Sequence, residues 1–190
     1  WLASLLPPGA SPASLRPLFD RVDLQPGDCL IRQGDVGRGM HGLLSGRTHH
    51  VRQVSEAEEV LLHVGEPGLW VGEYPLLSGD NSIGSVIAAT SVRTLFLPVR
   101  EYEAILDEEP RYLQYFCRLL AHRFAVALRA LTESHRLAPE DWLLARLAGV
   151  LELQRTGATT EMRYDTITLS QSELANMVGL SRQTLSVLLG

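Results

Sequence analysis

Eleven of the sixteen glycines fall between Leu24 and Leu97, and their density constrains the fold more than any other feature of the chain. They are Gly27, Gly34, Gly37, Gly39, Gly42, Gly46, Gly65, Gly68, Gly72, Gly79 and Gly84. A glycine inside a helix costs about 1 kcal/mol relative to alanine, so helices of ordinary length do not fit here. Between the glycines lie short runs rich in β-branched and apolar residues: DCLIRQ, GLLSGRTHHVRQV, EVLLHV, IGSVIAA and VRTLFLPV. Short strands punctuated in this way predict a small antiparallel barrel or sandwich, with glycine at the corners.

The period changes after Val99. EYEAILDEEP predicts a short helix stopped near Pro110, because proline ends a helix at the residue before it. A longer helix follows over 111–137. Its apolar positions Leu113, Phe116, Leu120, Phe124, Ala127 and Leu131 step by three and four, close to a heptad seam. At ~1.5 Å per residue it spans about 40 Å, and its stripe needs a cover. Pairing with the same helix of a second chain is the favoured cover. Arg111, Arg118, Arg129 and Arg136 lie mostly off the seam and are expected to solvate its outer face.

Pro139 suits the first turn of the next helix, PEDWLLARLAGVLELQ, which places Trp142, Leu143, Leu147, Val150 and Leu151 on one face. Residues 155–164 read as a polar loop or hairpin, and 166–169 as a short strand.

The sharpest local pattern comes last. Ser170 and Glu173 have the S-x-x-E spacing of a capping box, which starts a helix carrying Leu174, Ala175 and Val178 inward. Gly179 can end that helix in the left-handed conformation, and Ser181 can cap a second one, RQTLSVLL. Helix, glycine turn and helix at these offsets form a helix-turn-helix, a unit that lays its second helix in the DNA major groove. Arg182 and Gln183 would then face base edges, while Ser172, Ser181, Thr184 and Ser186 bind at the same face and Leu185, Leu188 and Leu189 pack behind.

Charge agrees with a local rather than a diffuse nucleic-acid contact. The net charge is −5, with all 17 basic residues arginine. Residues 1–110 carry −7, 111–137 carry +4 and 138–190 carry −2. An acidic total excludes a non-specific coat for nucleic acid but not a module with few, placed arginines. Cys29 and Cys117 are too few and too far apart for an iron–sulfur cluster or a disulfide framework, which points to the cytoplasm. The opening residues lack a basic segment of the kind that starts a secretory signal, and no long apolar run predicts a membrane span. The histidines show no H-x-H spacing of a metal-binding cupin, no nucleophile–base arrangement stands out, and no metal site is predicted, so the chain does not read as an enzyme.

From about Leu15 to Gly190 the chain resembles the Crp/Fnr family of bacterial transcription regulators, the family of the cyclic-AMP receptor protein. Three blocks carry the resemblance: PGDCLIRQGDVGRGMHGLLSG, GLWVGEYPLL and LSQSELANMVGLSRQTLSVLL. It implies an α+β chain: an N-terminal antiparallel β-roll (jelly roll) like a cyclic nucleotide-binding domain, a long dimerisation helix, and a C-terminal winged helix-turn-helix, truncated here before its wing. The boundaries it implies are 1–110 for an effector-sensing domain, 111–137 for the dimer helix and 138–190 for the DNA-binding domain. Its implied partners are double-stranded DNA and a second copy of the chain, with RNA polymerase as a candidate third, and no membrane.

The resemblance also implies an effector site at Gly72, Glu73, Ile83, Gly84 and Ser85, with Phe124, Ala127 and Leu128 from the helix. Two departures argue against cyclic AMP. The arginine that would pair with the cyclic phosphate falls on Ile83, with no basic residue between Glu73 and Arg93. The Thr-Ser pair that would read adenine falls on Ala127-Leu128. Haem stays open as a cofactor of a gas- or redox-sensing regulator, with His122 the first ligand to test among His41, His49, His50, His63, His122 and His135. His49 and His50, adjacent on a strand, point to opposite faces. A weakly polar small molecule, or no effector at all, are the other readings. Val187 and Gln183 replace residues common in the family's recognition helix and imply a different operator.

Overall fold

Strands give way to helices at Pro98–Val99, where the hydrophobic period changes. The computed structural model describes residues 19–157 and 169–189. Eight strands come first: β1 (Asp20–Leu24), β2 (Cys29–Ile31), β3 (Gly39–Ser45), β4 (Thr48–Ser55), β5 (Glu58–Gly65), β6 (Trp70–Val71), β7 (Ser85–Ala88) and β8 (Val92–Pro98), with a short helix α1 (Glu73–Ser78) between β6 and β7. Five helices follow: α2 (Val99–Glu108), α3 (Tyr112–Ser134), α4 (Pro139–Gly157), α5 (Gln171–Val178) and α6 (Arg182–Leu189).

The strands form two four-stranded antiparallel sheets, ordered β1-β8-β3-β6 and β2-β7-β4-β5. The run GLLSGRTHHVRQV therefore spans both sheets, crossing at Gly46–Arg47. Leu43 and Val92 from the first sheet meet Ala88 of the second, and Val71 meets Val86, so the two inner faces close on one another as a jelly roll.

Three outer layers complete the core. Tyr102 and Ile105 of α2 and Tyr112 and Phe116 of α3 cover Met40, Trp70 and Leu97 of the first sheet. Val150 of α4 and Met177 of α5 cover Val51, Leu61 and Val64 of the second. Leu143, Leu174, Ala175, Val178 and Leu185 join α4, α5 and α6.

The α3 seam is not uniformly treated. Phe116 is buried on the roll, whereas Phe124 is 64% and Leu131 58% exposed. The arginines expected simply to solvate α3 include two in ion pairs: Arg111 with Glu109 at 2.7 Å, and Arg129 with Glu152 of α4 at 2.6 Å. Of the loop and strand expected over 155–164 and 166–169, residues 155–157 instead end α4, and 158–168 lie outside the described residues. Among the described residues no helix is long and apolar enough to cross a membrane.

Candidate functional site

Two places gather the predicted residues: a cavity under α1 and the exposed start of α6.

The cavity begins with a glycine that cannot be replaced cheaply. Gly72 has φ +92°, and a Cβ there would stand 2.6 Å from the Gly39 carbonyl oxygen. This close turn carries the chain from β6 into α1 and sets Glu73 in the first turn, where the helix dipole favours a carboxylate. Glu73 is only 7% exposed, and a buried carboxylate needs a partner. Arg123 of α3 supplies it, pairing with the Glu73 carboxylate and donating its other terminal nitrogen to the Trp70 carbonyl. The sequence reading missed Arg123. The signal was present: it lies one heptad after Phe116, the seam residue that packs on the roll, and so shares its face.

The cavity holds about 180 Å³. Of the predicted effector residues, Gly72, Glu73, Ile83, Gly84 and Ser85 line it. Phe124, Ala127 and Leu128 do not; all three are exposed on α3, and Arg123 takes the inward position. Two histidines complete the wall. His50 and His63 stand opposite one another in the β4–β5 ladder, their rings edge to face at 5.5 Å. Burial pushes His50 down to about 3 and His63 well below the usual imidazole value, and the neighbouring Arg123 adds to both shifts. Both are therefore neutral near pH 7. Thr48 Oγ1 lies 3.2 Å from His50 Nε2, but neither ring nitrogen of His63 has a partner among the described residues. Leaving such a group unpaired costs about 1–3 kcal/mol.

Of the six histidines named for haem, His50 and His63 reach the cavity. His122 does not line the cavity; it sits one residue before Arg123, turned about 100° around the helix, with Nε2 3.8 Å from Glu152 of α4. His41 stacks on Phe96, and burial holds it near 4. His49 faces α5, and His135 is exposed beyond α3. The space is smaller than the ~300 Å³ at which pockets begin to hold drug-sized ligands.

A β-bulge shapes the wall. His50 pairs with His63 and Val51 with Leu61, leaving Leu62 as the extra residue of β5. Consecutive Leu62 and His63 can then both line the cavity, while Leu61 and Val64 both face α4 and α5. The same segment is tied to the C-terminal helices. Arg146 of α4 donates to the Leu62 carbonyl, and Asn176 of α5 accepts from Leu61 N–H at 2.5 Å and donates to the Glu59 carbonyl at 3.1 Å. His49, on the face opposite His50, meets Glu173 Oε1 at 2.6 Å. A wider groove of about 710 Å³ opens nearby, between β5 and the α4–α5 pair at Trp142 and Leu180, and holds none of the predicted residues.

At the second place the capping box is present in full: Glu173 N–H donates to Ser170 Oγ at 3.2 Å and Ser170 N–H to Glu173 Oε2 at 2.6 Å. Gly179 ends α5 at φ +69°, and Leu180 N–H reaches back to the Ala175 carbonyl at 3.0 Å. Ser181 Oγ accepts from Thr184 N–H at 3.0 Å, capping α6. Ser172, Ser181, Arg182, Gln183, Thr184 and Ser186 are all exposed, with Leu185 fully buried behind them. Leu188 is partly covered; Leu189, expected to pack, is 51% exposed.

A closed antiparallel roll, a glycine–glutamate turn into a short helix and a cavity beneath it define the class: residues 21–109 match the cyclic nucleotide-binding domain family. Over 180 residues the chain is 24% identical to a CRP-like cAMP-activated global transcriptional regulator of Mycobacterium tuberculosis, covering 92% of this chain and 77% of that one. The solved Thermus thermophilus catabolite activator protein is 26% identical with a TM-score of 0.59, covering 95% of this chain and 83% of that one. A Thermus thermophilus transcriptional regulator of the CRP/FNR family shares the fold at a TM-score of 0.66 and 24% identity, covering 90% and 84%. Over nearly its whole length the chain is thus similar to regulators of the CRP/FNR type, with the cyclic nucleotide-binding domain matched over 21–109.

Proposed function

We propose that the chain is a homodimeric, effector-gated regulator that reads duplex DNA with the start of α6. One observation carries the reading: the polar edge Ser181–Arg182–Gln183–Thr184 is exposed on a capped helix whose apolar back, Leu185, is fully buried. Arginine can engage two guanine acceptors and glutamine an adenine edge, while Ser172, Ser181, Thr184 and Ser186 hold phosphates. The exposed seam Phe124, Leu128 and Leu131 supports a second copy packing along 111–137. On this reading 1–110 senses, 111–137 dimerises and 138–190 binds DNA, and the work is binding rather than catalysis, done in the cytoplasm. RNA polymerase is the candidate third partner, whether the regulator activates or represses.

The effector acts through β5. Its cavity touches Leu62 and His63, whose backbone neighbours are held by Arg146 and Asn176. A molecule that displaces the bulge loosens both ties and biases α5–α6 toward another placement, provided it binds that arrangement better. The Mycobacterium tuberculosis relative is named as cAMP-activated. Here Ile83 stands at the cavity without a cation and Arg123 is committed to Glu73, so the effector is not cyclic AMP. That internal pair also favours a second reading, in which the cassette is satisfied by itself and the regulator needs no effector.

Operator selection from random duplexes, followed by binding of Arg182→Ala, tests the core of the proposal. The loss should be about 1–3 kcal/mol on the selected site and small on random DNA. In the same protein Phe124→Glu should halve the mass seen by sedimentation. No selected sequence, or a monomeric parent chain, overturns the reading.

A further inference from the structure

We infer that the cavity takes a small uncharged molecule bearing a hydroxyl or amide group, and that His63 is the residue that reads it. The inference deepens the effector reading and rests on the cavity being that site.

His63 is 8% exposed, faces the cavity and has no partner on either ring nitrogen among the described residues. The other polar side chains around the space each have a partner, His50 Nε2 with Thr48 Oγ1 and Tyr74 donating to Asp80 among them. Glu73 and Arg123 pair with each other, Arg123 also holds the Trp70 carbonyl, Ser82 Oγ donates to the Gly84 carbonyl, and Ser85 Oγ accepts from Gln33 N–H. His63 is thus the place where a ligand gains a hydrogen bond without breaking one. A neutral imidazole offers one donor and one acceptor, the complement of a hydroxyl or an amide.

Charge selects against ions. The one ion pair on the cavity wall is internally matched, so a carboxylate or phosphate would have to pull Arg123 from Glu73 or enter unpaired. Protonating His63 to meet an anion is opposed by burial and by Arg123 and Arg146. The rest of the wall, including Val71, Ile83 and Val86, suits an apolar body. The volume, about 180 Å³, equals the liquid share of about six waters, so the ligand is small.

The full chain labelled with 15N-histidine is titrated with phenol, benzamide, benzoate and cyclic AMP while the His63 ring resonances are followed. Phenol or benzamide should shift them, and benzoate should bind at least about tenfold more weakly. His63→Leu removes an orphaned polar group and so should fold; it should lose the uncharged probe by at least about tenfold, whereas His63→Gln, which keeps a donor and an acceptor, should retain it. Benzoate or cyclic AMP binding as tightly as the uncharged probes, or no probe moving His63, overturns the inference. Operator binding measured in parallel separates the two readings. Probe binding at His63 with no operator recognised leaves this inference standing and removes the regulator. Operator binding driven by cyclic AMP removes the inference and leaves the regulator.

Discussion

The two faces of the β4–β5 ladder, one residue apart in sequence, do opposite things with the same residue type. On the inner face the half-buried His50 and the buried His63 are neutral and turned on a cavity. On the outer face His49 reaches a carboxylate on α5, and Leu61 and Val64 pack under α4 and α5. The contrast shows how a small roll can connect a cavity to helices behind its wall. Strand alternation gives each face its own chemistry, and the extra residue Leu62 joins them, with its side chain on the cavity and its carbonyl on Arg146. The faces should therefore respond differently to pH and mutation.

Acid should attack the inner face first. His50 and His63 have folded pKa values below their unfolded value near 6.5, so the unfolded chain binds more protons as pH falls. Their contribution is complete above about pH 6.5 and erodes below it, by up to about 1.4 kcal/mol per pH unit for each histidine. His41, held near 4, adds a third such group on the other sheet. Urea melts of wild type and His63→Leu at pH 6.5 and 4.5 isolate one of them. The variant should lose up to about 2.3 kcal/mol less than wild type over that interval, because the unfolded histidine is already half protonated at its start. Parallel losses would mean that His63 is already protonated in the folded protein.

Part of this contrast was readable from sequence. Alternation alone placed His49 and His50 on opposite faces, because a strand has period two. Local spacing also gave the Ser170–Glu173 box, which depends on residues within a turn of one another, whereas Gly72–Glu73 came only through the resemblance of GLWVGEYPLL. The bulge was not readable. A one-residue insertion leaves no mark on a short apolar run such as EVLLHV, yet it decides which of Leu61, Leu62, His63 and Val64 see the cavity. The partners of that segment, Arg146 and Asn176, lie 84 and 115 residues further on, where no local pattern points back to β5. Arg123 and His122 show the remaining difficulty: neighbours on one helix, they diverge by about 100°, and only the heptad relation to Phe116 tells which enters. The long helix was legible as a helix, but its seam conceals two different covers, the chain's own roll at Phe116 and open space at Phe124.

The outer face is best probed at Asn176, which closes the edge strand with both halves of its amide. Asn176→Ala leaves Leu61 N–H and the Glu59 carbonyl without these bonds. The expected cost is about 1–2 kcal/mol in denaturant unfolding, since one of the two hydrogen bonds is partly buried and the other exposed. Faster hydrogen exchange should appear at the Leu61 amide, with His63 unmoved in the 15N spectrum. A shift at His63 as well would mean that the two faces are not separable through the bulge.

The smallest effect belongs to the His49–Glu173 contact. Burial raises the Glu173 pKa, but hydrogen bonds from the Ser170 side chain and backbone and from His49 outweigh it and leave it below the usual value. A carboxylate lowered on folding contributes stability above its unfolded value near 4.5 and loses it as pH falls through the folded value. The outer contact therefore fails only in a window more acidic than the one that unsettles His50 and His63. Glu173→Gln keeps the capping-box geometry, because glutamine serves at that position, and removes the charge that His49 meets. At pH 7 the cost should be about 1 kcal/mol or less, since the pair is partly open to solvent. Repeating the substitution in a His49→Ala background should abolish most of that cost. An undiminished cost would assign the effect to the helix cap instead and leave the outer face held by Asn176 and the apolar cluster alone.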